Sequence, residues 1–297
     1  MNPFVLLNFN SHNRLYEPFL KLVRLIPQLT TRLLYMKIYK SILFIIIVPF
    51  LIVLKAQPET WKREKHDGYK LFYTTQDSES KREYLLYIER GIDSVRKFFG
   101  SEFKKEFEIY VHPNRKSLDE QWRKDWNMPD FKSECWMVAS GVASKLDMLS
   151  PLQWAKESCE HDYADKLKTQ QIIAHELVHV FHGQLNVSPD FSDVTNLDWF
   201  VEGLATYASG QLDKVRISEI SETISGNKAP NSLDNFWTGK LKYGFSGSIV
   251  MYIEQKYGRR KLIELLKFNK KDEILNSLNT TEMDLLNGWK KYFVKSN

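Results

Sequence analysis

The 297 residues are 43% hydrophobic and 27% charged, a globular balance that excludes disorder or low complexity as the main state. The formal charge of +5 belongs to the N-terminus: seven of the 42 Lys/Arg and one of the 37 Asp/Glu lie in residues 1–56, leaving 35 bases against 36 acids beyond. A body so near neutrality excludes a basic nucleic-acid stripe, and no nucleic-acid partner is expected.

In chain order, residues 1–35 read as an upstream, misread start or as a basic amphipathic leader. Lys37 and Lys40 then precede an apolar run from Ile42 to Leu54, followed by the small residue Ala56. The run is shorter than the roughly 18–20 residues that cross a bilayer as a helix, and Pro49 interrupts it. Residues 36–56 fit a signal peptide cleaved after Ala56, with an uncleaved membrane anchor as the alternative. A membrane partner is expected only in that second case. Either reading exports the remainder, as a periplasmic, secreted or outward-facing anchored protein. In an oxidising compartment the two cysteines, Cys135 and Cys159, form one disulfide or remain two buried thiols.

Beyond the leader, residues 57–162 read as an α/β lobe. YKLFYTT is a strand, and the segment Ser78 to Gly100 an amphipathic helix with Leu85, Ile88, Ile92, Val95 and Phe99 on one face. FEIYVHP is a strand closed by Pro113, and RKSLDEQWRKDW a short helix. CWMVASGVASKLDMLSP reads as strand, turn, strand with Gly141 at the turn or a bulge. WMVASGVAS is a candidate edge strand for pairing with an extended peptide. From residue 163 to 297 the pattern is helical. A long helix runs from Tyr163 to His182 with Gly183 as its left-handed stop. A second runs from Trp199 to Ser209 with Asp198 as N-cap and Gly210 as stop. GSIVMYIEQKYG ends at Gly258; RRKLIELLKF, KDEILNSL and a last helix capped by Thr280 or Thr281 follow. Trp122, Trp126, Trp136, Trp154 and Phe236–Trp237 read mainly as core, with a substrate-cleft lining as the alternative for some of them. The expected architecture is α+β, with no internal repeat and no flexible linker within 57–297.

The chemistry concentrates in IIAHELVHVFHGQL. Residues four apart on a helix lie one turn apart on nearly the same face, so His175 and His179 can converge on one metal ion. Glu176 points to the adjacent face, within reach of a water at that ion. Two buried histidines satisfied by hydrogen bonds are the bland reading of the same pattern. A catalytic zinc takes a third protein ligand and leaves a position open. His182 lies about 10 Å of helix rise beyond His175, too far to join, and reads as structural or pocket-lining. Metzincin spacing fails because Leu185 stands where a third histidine would be. Glu202 is the candidate for the missing ligand: it lies in the otherwise apolar DWFVEGLATY, where an unpaired carboxylate is costly, a salt-bridged Glu on the helix rim being the bland reading. Gly203 and Ala205 would let its helix pack closely on the first.

HELVHVFHGQ followed by DWFVEGLATY resembles the gluzincin metallopeptidases, in particular the peptidase MA-like proteins and the aminopeptidase branch. The resemblance is strong over about residues 130–297 and loose before them. It implies a zincin-like fold, a mixed sheet-containing lobe and a helical lobe with the active site between them. It implies one zinc ion per chain on His175, His179 and Glu202, with Glu176 as general base. The tyrosine that supports the oxyanion in that family, just before a helix, matches Tyr243. The implied substrate is a peptide or protein, cleaved by a metal-activated water. Two departures stand out. No acid occupies WMVASGVAS to hold a substrate amine, and Ser209 replaces the carboxylate that orients a zinc-bound histidine in many relatives. A hydrolase of the same fold acting on another bond, and a binding protein without turnover, are the alternative expectations.

Overall fold

The computed structural model describes residues 60–295, so the leader and anchor expectations for residues 1–56 lie outside the described residues. Its strands are β1 (Trp61–Lys65), β2 (Tyr69–Thr74), β3 (Phe107–His112), β4 (Ala139–Val142) and β5 (Lys145–Leu149). They form one mixed sheet in the order β1-β2-β3-β5-β4. β2, β3 and β5 run parallel, and β1 and β4 close the two edges antiparallel. The alternation in β2 and β3 puts Tyr69, Leu71, Tyr73, Phe107, Ile109 and Val111 on one buried face, as a period of two requires. β1 was not anticipated from sequence. WKREK is almost wholly exposed; it is held by its backbone ladder to β2, by Trp61 edge-on to Tyr110 and His112, and by Glu64, which accepts from Tyr73 and Lys81.

The helices are α1 (Lys81–Phe99), α2 (Arg115–Asp125), α3 (Trp154–Glu157), α4 (Lys166–Gly183), α5 (Asp198–Ala208), α6 (Lys214–Ser225), α7 (Lys242–Tyr257), α8 (Arg259–Leu265), α9 (Lys271–Ser277) and α10 (Glu282–Lys295). The α+β expectation therefore holds. α1 buries Ile88, Ile92, Val95 and Phe99 as the spacing predicts, but Tyr84 and Tyr87 take most of the place expected of Leu85, which is only partly covered. Among the described residues no helix is long and apolar enough to cross a membrane.

α4 is the central element. Asp165 caps it by accepting from the Lys168 amide, and it packs against α1, β4 and α5. It buries residues on nearly all sides, among them Ile173, Leu177, Val178, Val180 and Phe181. β4 lies so close that a Cβ on Gly141 would sit 2.3 Å from the Glu176 carbonyl oxygen and 3.1 Å from His179 Cβ. That close approach explains the glycine. Gly141 is inside β4, and the turn falls at Ala143–Ser144, correcting the expected hairpin position.

Three boundaries also differ, and one helix was not expected. Gly183 ends α4 without a left-handed φ, its α-carbon crowded by Pro189 and Ala143. Asp198 is the first residue of α5 and Leu197 its cap, while Gly210, at φ +79°, is the stop expected. α6 had no sequence counterpart. α7 starts five residues before the predicted segment, which places Tyr243 within its first turn. Thr281 caps α10 by accepting from the Asp284 amide. Cys135 and Cys159 form a disulfide.

Candidate metal centre

α4 and α5 bring together the three residues expected to hold a metal. One ligand atom each from His175, His179 and Glu202 lies within 4.8 Å of the others. His175 Nε2 is 3.2 Å from Glu202 Oε2, and His179 Nε2 is 3.6 Å from Oε1. Two donors on a tetrahedral zinc, each 2.0–2.2 Å from it, lie about 3.3–3.5 Å apart, close to the two histidine–carboxylate separations. Both imidazoles are buried, and the Glu202 side chain keeps 27% of its surface open.

The expected role of Gly203 is corrected. Gly203 does not face α4: a Cβ there would meet the Ser246 carbonyl of α7 at 2.3 Å. The glycine lets α5 lie against α7, and that contact brings Tyr243 to the site. The Tyr243 ring stands 6.3 Å from the His175 ring, edge-on.

The hydrogen bonds around the triad fix its protonation logic. His175 Nδ1–H donates to Gln211 Oε1 at 2.9 Å, which leaves Nε2 facing a carboxylate oxygen. Two acceptors at that range repel unless a proton or a cation lies between them. Gln211, not Ser209, meets the Nδ1 side of His175; the Ser209 hydroxyl donates to the Thr206 carbonyl at 3.3 Å. The Gln211 segment is pinned at both ends. Gln171, one turn before His175 on α4, donates to the Gly210 carbonyl at 2.8 Å, and Arg216 donates to the Gln211 carbonyl. Sequence spacing gave no sign of Gln211, because it lies in the irregular segment after α5.

Burial works to raise the Glu202 pKa, yet the charge and hydrogen bonds of His179 and His175 overcome it and hold the carboxyl well below its usual range. Glu176 behaves oppositely. Burial pushes it up to about 7; His175 opposes that rise, Glu202 adds to it, and the Gly141 amide, a donor, opposes it. Neighbouring carboxylates are thus driven apart, the pattern of one ligand and one proton-transfer group. Burial, with Glu202 and Glu176 nearby, keeps the Tyr243 hydroxyl protonated far above neutrality.

His182 lies apart from the triad, as expected. It is fully buried and donates from Nε2 to the Leu266 carbonyl at 3.1 Å. Phe191, a non-glycine residue at φ +60° in the connection between α4 and α5, sets its ring against His182 and His179. A β-carbon in that conformation is strained, and the result is an apolar wall beside the second histidine. Trp122, Trp154 and Phe236 are core as expected, whereas Trp136 is 37% exposed and Trp237 half-buried.

No protein-family model matches the chain, and no curated protein matches its sequence. The functional reading therefore stands on the site itself.

Proposed function

We propose that the protein is an exported zinc-dependent peptidase of the gluzincin type, with a zincin-like fold. The observation that carries this is the convergence of His175, His179 and Glu202 within 4.8 Å, beside a Glu176 whose carboxyl is held at about 7. Two nitrogens and one carboxylate oxygen at this span suit zinc. Bound there, zinc would supply Lewis acidity that lowers the pKa of water and polarises a carbonyl.

The chain's own residues supply the rest. Glu176 takes the proton of the attacking water and passes it to the leaving amine, a role suited to a carboxyl that titrates near neutrality. The Tyr243 hydroxyl donates to the oxygen on which negative charge develops. Gln211 holds His175 in the tautomer that presents Nε2 to the metal. β4 is an edge strand next to Glu176, and an extended peptide pairing along it would bring its carbonyl to the site. The disulfide and the apolar run at Ile42–Leu54 support export.

Metal analysis and peptide cleavage by the full-length protein and its Glu176→Gln variant test this reading. The expected result is about one zinc per chain in both and turnover in the wild type alone, because Glu176 is a base and not a ligand. Equal cleavage by both proteins would reject the mechanism. Zinc without cleavage of any peptide would move the activity to another bond or to binding alone.

A further inference from the structure

Beside Tyr243 stands a cation for which the hydrolysis described above has no use. Lys242 is the first residue of α7, adjacent in sequence to Tyr243. A positive charge there faces the positive end of the helix dipole, and the helix has no side-chain cap. Among the described residues no carboxylate forms an ion pair with it. Its ammonium instead rests against three aromatic rings, 4.5 Å from the centroid of Trp237, 4.9 Å from Trp136 and 5.3 Å from Tyr243. Rings at these distances attract a cation without neutralising it.

The wall carrying Trp136 is built to stay in place. Cys135 is bonded to Cys159, and the Arg115 guanidinium donates to the carbonyls of Met137 at 2.7 Å and Cys135 at 3.2 Å. His161 donates from Nε2 to the Trp136 carbonyl at 2.9 Å. Trp136 and Trp237, read mainly as core from the sequence, thus hold a charged group beside Tyr243. Arg216, also without an ion pair among the described residues, adds positive potential near Tyr243. The acids facing Tyr243 are Glu202, Glu176 and the exposed Glu160. The first two belong to the reaction, and none of the three forms an ion pair with Lys242.

We infer that Lys242 is the recognition group for a carboxylate of the substrate, held by Trp136, Trp237 and Tyr243 to meet an acidic side chain or a free C-terminus. The inference rests on the peptidase reading of the same site and names its substrate class. The ammonium is 5.3 Å from the Tyr243 ring, which is 6.3 Å from the His175 ring. An extended chain advances roughly 3.3–3.6 Å per residue, so the carboxylate lies no more than about three residues from the scissile bond.

The test uses acetylated, amidated octapeptides with one Glu scanned across the positions around the cleaved bond, each matched by a Gln peptide. A further pair differs only in having a free or an amidated C-terminus. The zinc-loaded full-length protein should favour the acid of one pair by roughly tenfold in kcat/KM, the size of one charge-assisted contact. A Glu/Gln pair identifies a side chain and the terminus pair a chain end. Lys242→Met should bring that ratio to near one, and Lys242→Arg should retain most of it. A wild type with no acid preference, or a Lys242→Met protein that keeps one, would overturn the inference. A second readout separates it from the peptidase reading: binding of dye-labelled Glu and Gln peptides to the Glu176→Gln protein, followed by anisotropy. Acid preference that depends on Lys242, with no peptide cleaved by the wild type, keeps the carboxylate site and removes the peptidase. Cleavage of neutral peptides with equal binding of both probes does the reverse.

Discussion

Replacing Gln211 with alanine removes a single hydrogen bond, the 2.9 Å contact from His175 Nδ1, and leaves the backbone of its segment anchored. Gln171 still holds the Gly210 carbonyl and Arg216 still holds the carbonyl of residue 211. The perturbation is therefore confined to the orientation and tautomer of one proposed ligand. Outer partners of ligating histidines are worth about 10–100-fold in metal affinity, or ~1.4–2.7 kcal/mol, more than the ~1 kcal/mol of an ordinary neutral hydrogen bond. The excess arises because the imidazole loses both its acceptor partner and the proton arrangement that frees Nε2. Zinc affinity measured against a chromophoric chelator should fall by that factor in Gln211→Ala. It should rise in Gln211→Glu, where the acceptor is ionised and the bond roughly twice as strong. Unchanged affinity in both variants would refute the claim that Gln211 replaces the carboxylate missing at Ser209.

Two further outcomes follow from burial. Gly141→Val puts a branched side chain where even a Cβ lies 2.3 Å from the Glu176 carbonyl oxygen; overpacking costs about 1–3 kcal/mol, and a denaturant midpoint should fall accordingly, with zinc affinity falling as α4 shifts. His182 gives a pH dependence: burial and then the nearby His179 depress it to about 3, against the pull of the Leu266 carbonyl. The unfolded chain takes up that proton below about 6.5 while the folded one does not, so stability is full above that pH and falls as pH drops toward 3. The slope from this group is at most about 1.4 kcal/mol per pH unit, on the order of 2 kcal/mol between pH 6.5 and 5. In metal-free protein, His182→Gln should flatten the pH curve by that amount, and parallel curves for the two proteins would refute it.

The candidate ligands were legible in the chain because each announces itself locally. His175 and His179 are one turn apart, and Glu202 is an acid among apolar neighbours. The helix spacing of Ile88, Ile92, Val95 and Phe99 and the alternation of β2 and β3 were legible for the same reason. β1 was not, because WKREK has no apolar alternation even though its partner β2 follows after three residues. α6 was missed although Ile217, Ile220 and Ile224 keep helical spacing behind the cap Asp213. Gly141 looked like a turn because a glycine needed for a passing helix and one needed for a bend are the same letter.

By itself the sequence determined which groups could bind a cation and most of the segments that form helices, since both follow from spacings of a few residues. Only the tertiary structure decided that α4 and α5 bring those groups within 4.8 Å, that Gln211 supports His175, and that Trp136, Trp237 and Tyr243 gather around Lys242. Each of these is a meeting of side chains from separate elements, and hydrogen bonds and ring contacts act over a few ångströms in space, whatever the distance along the chain.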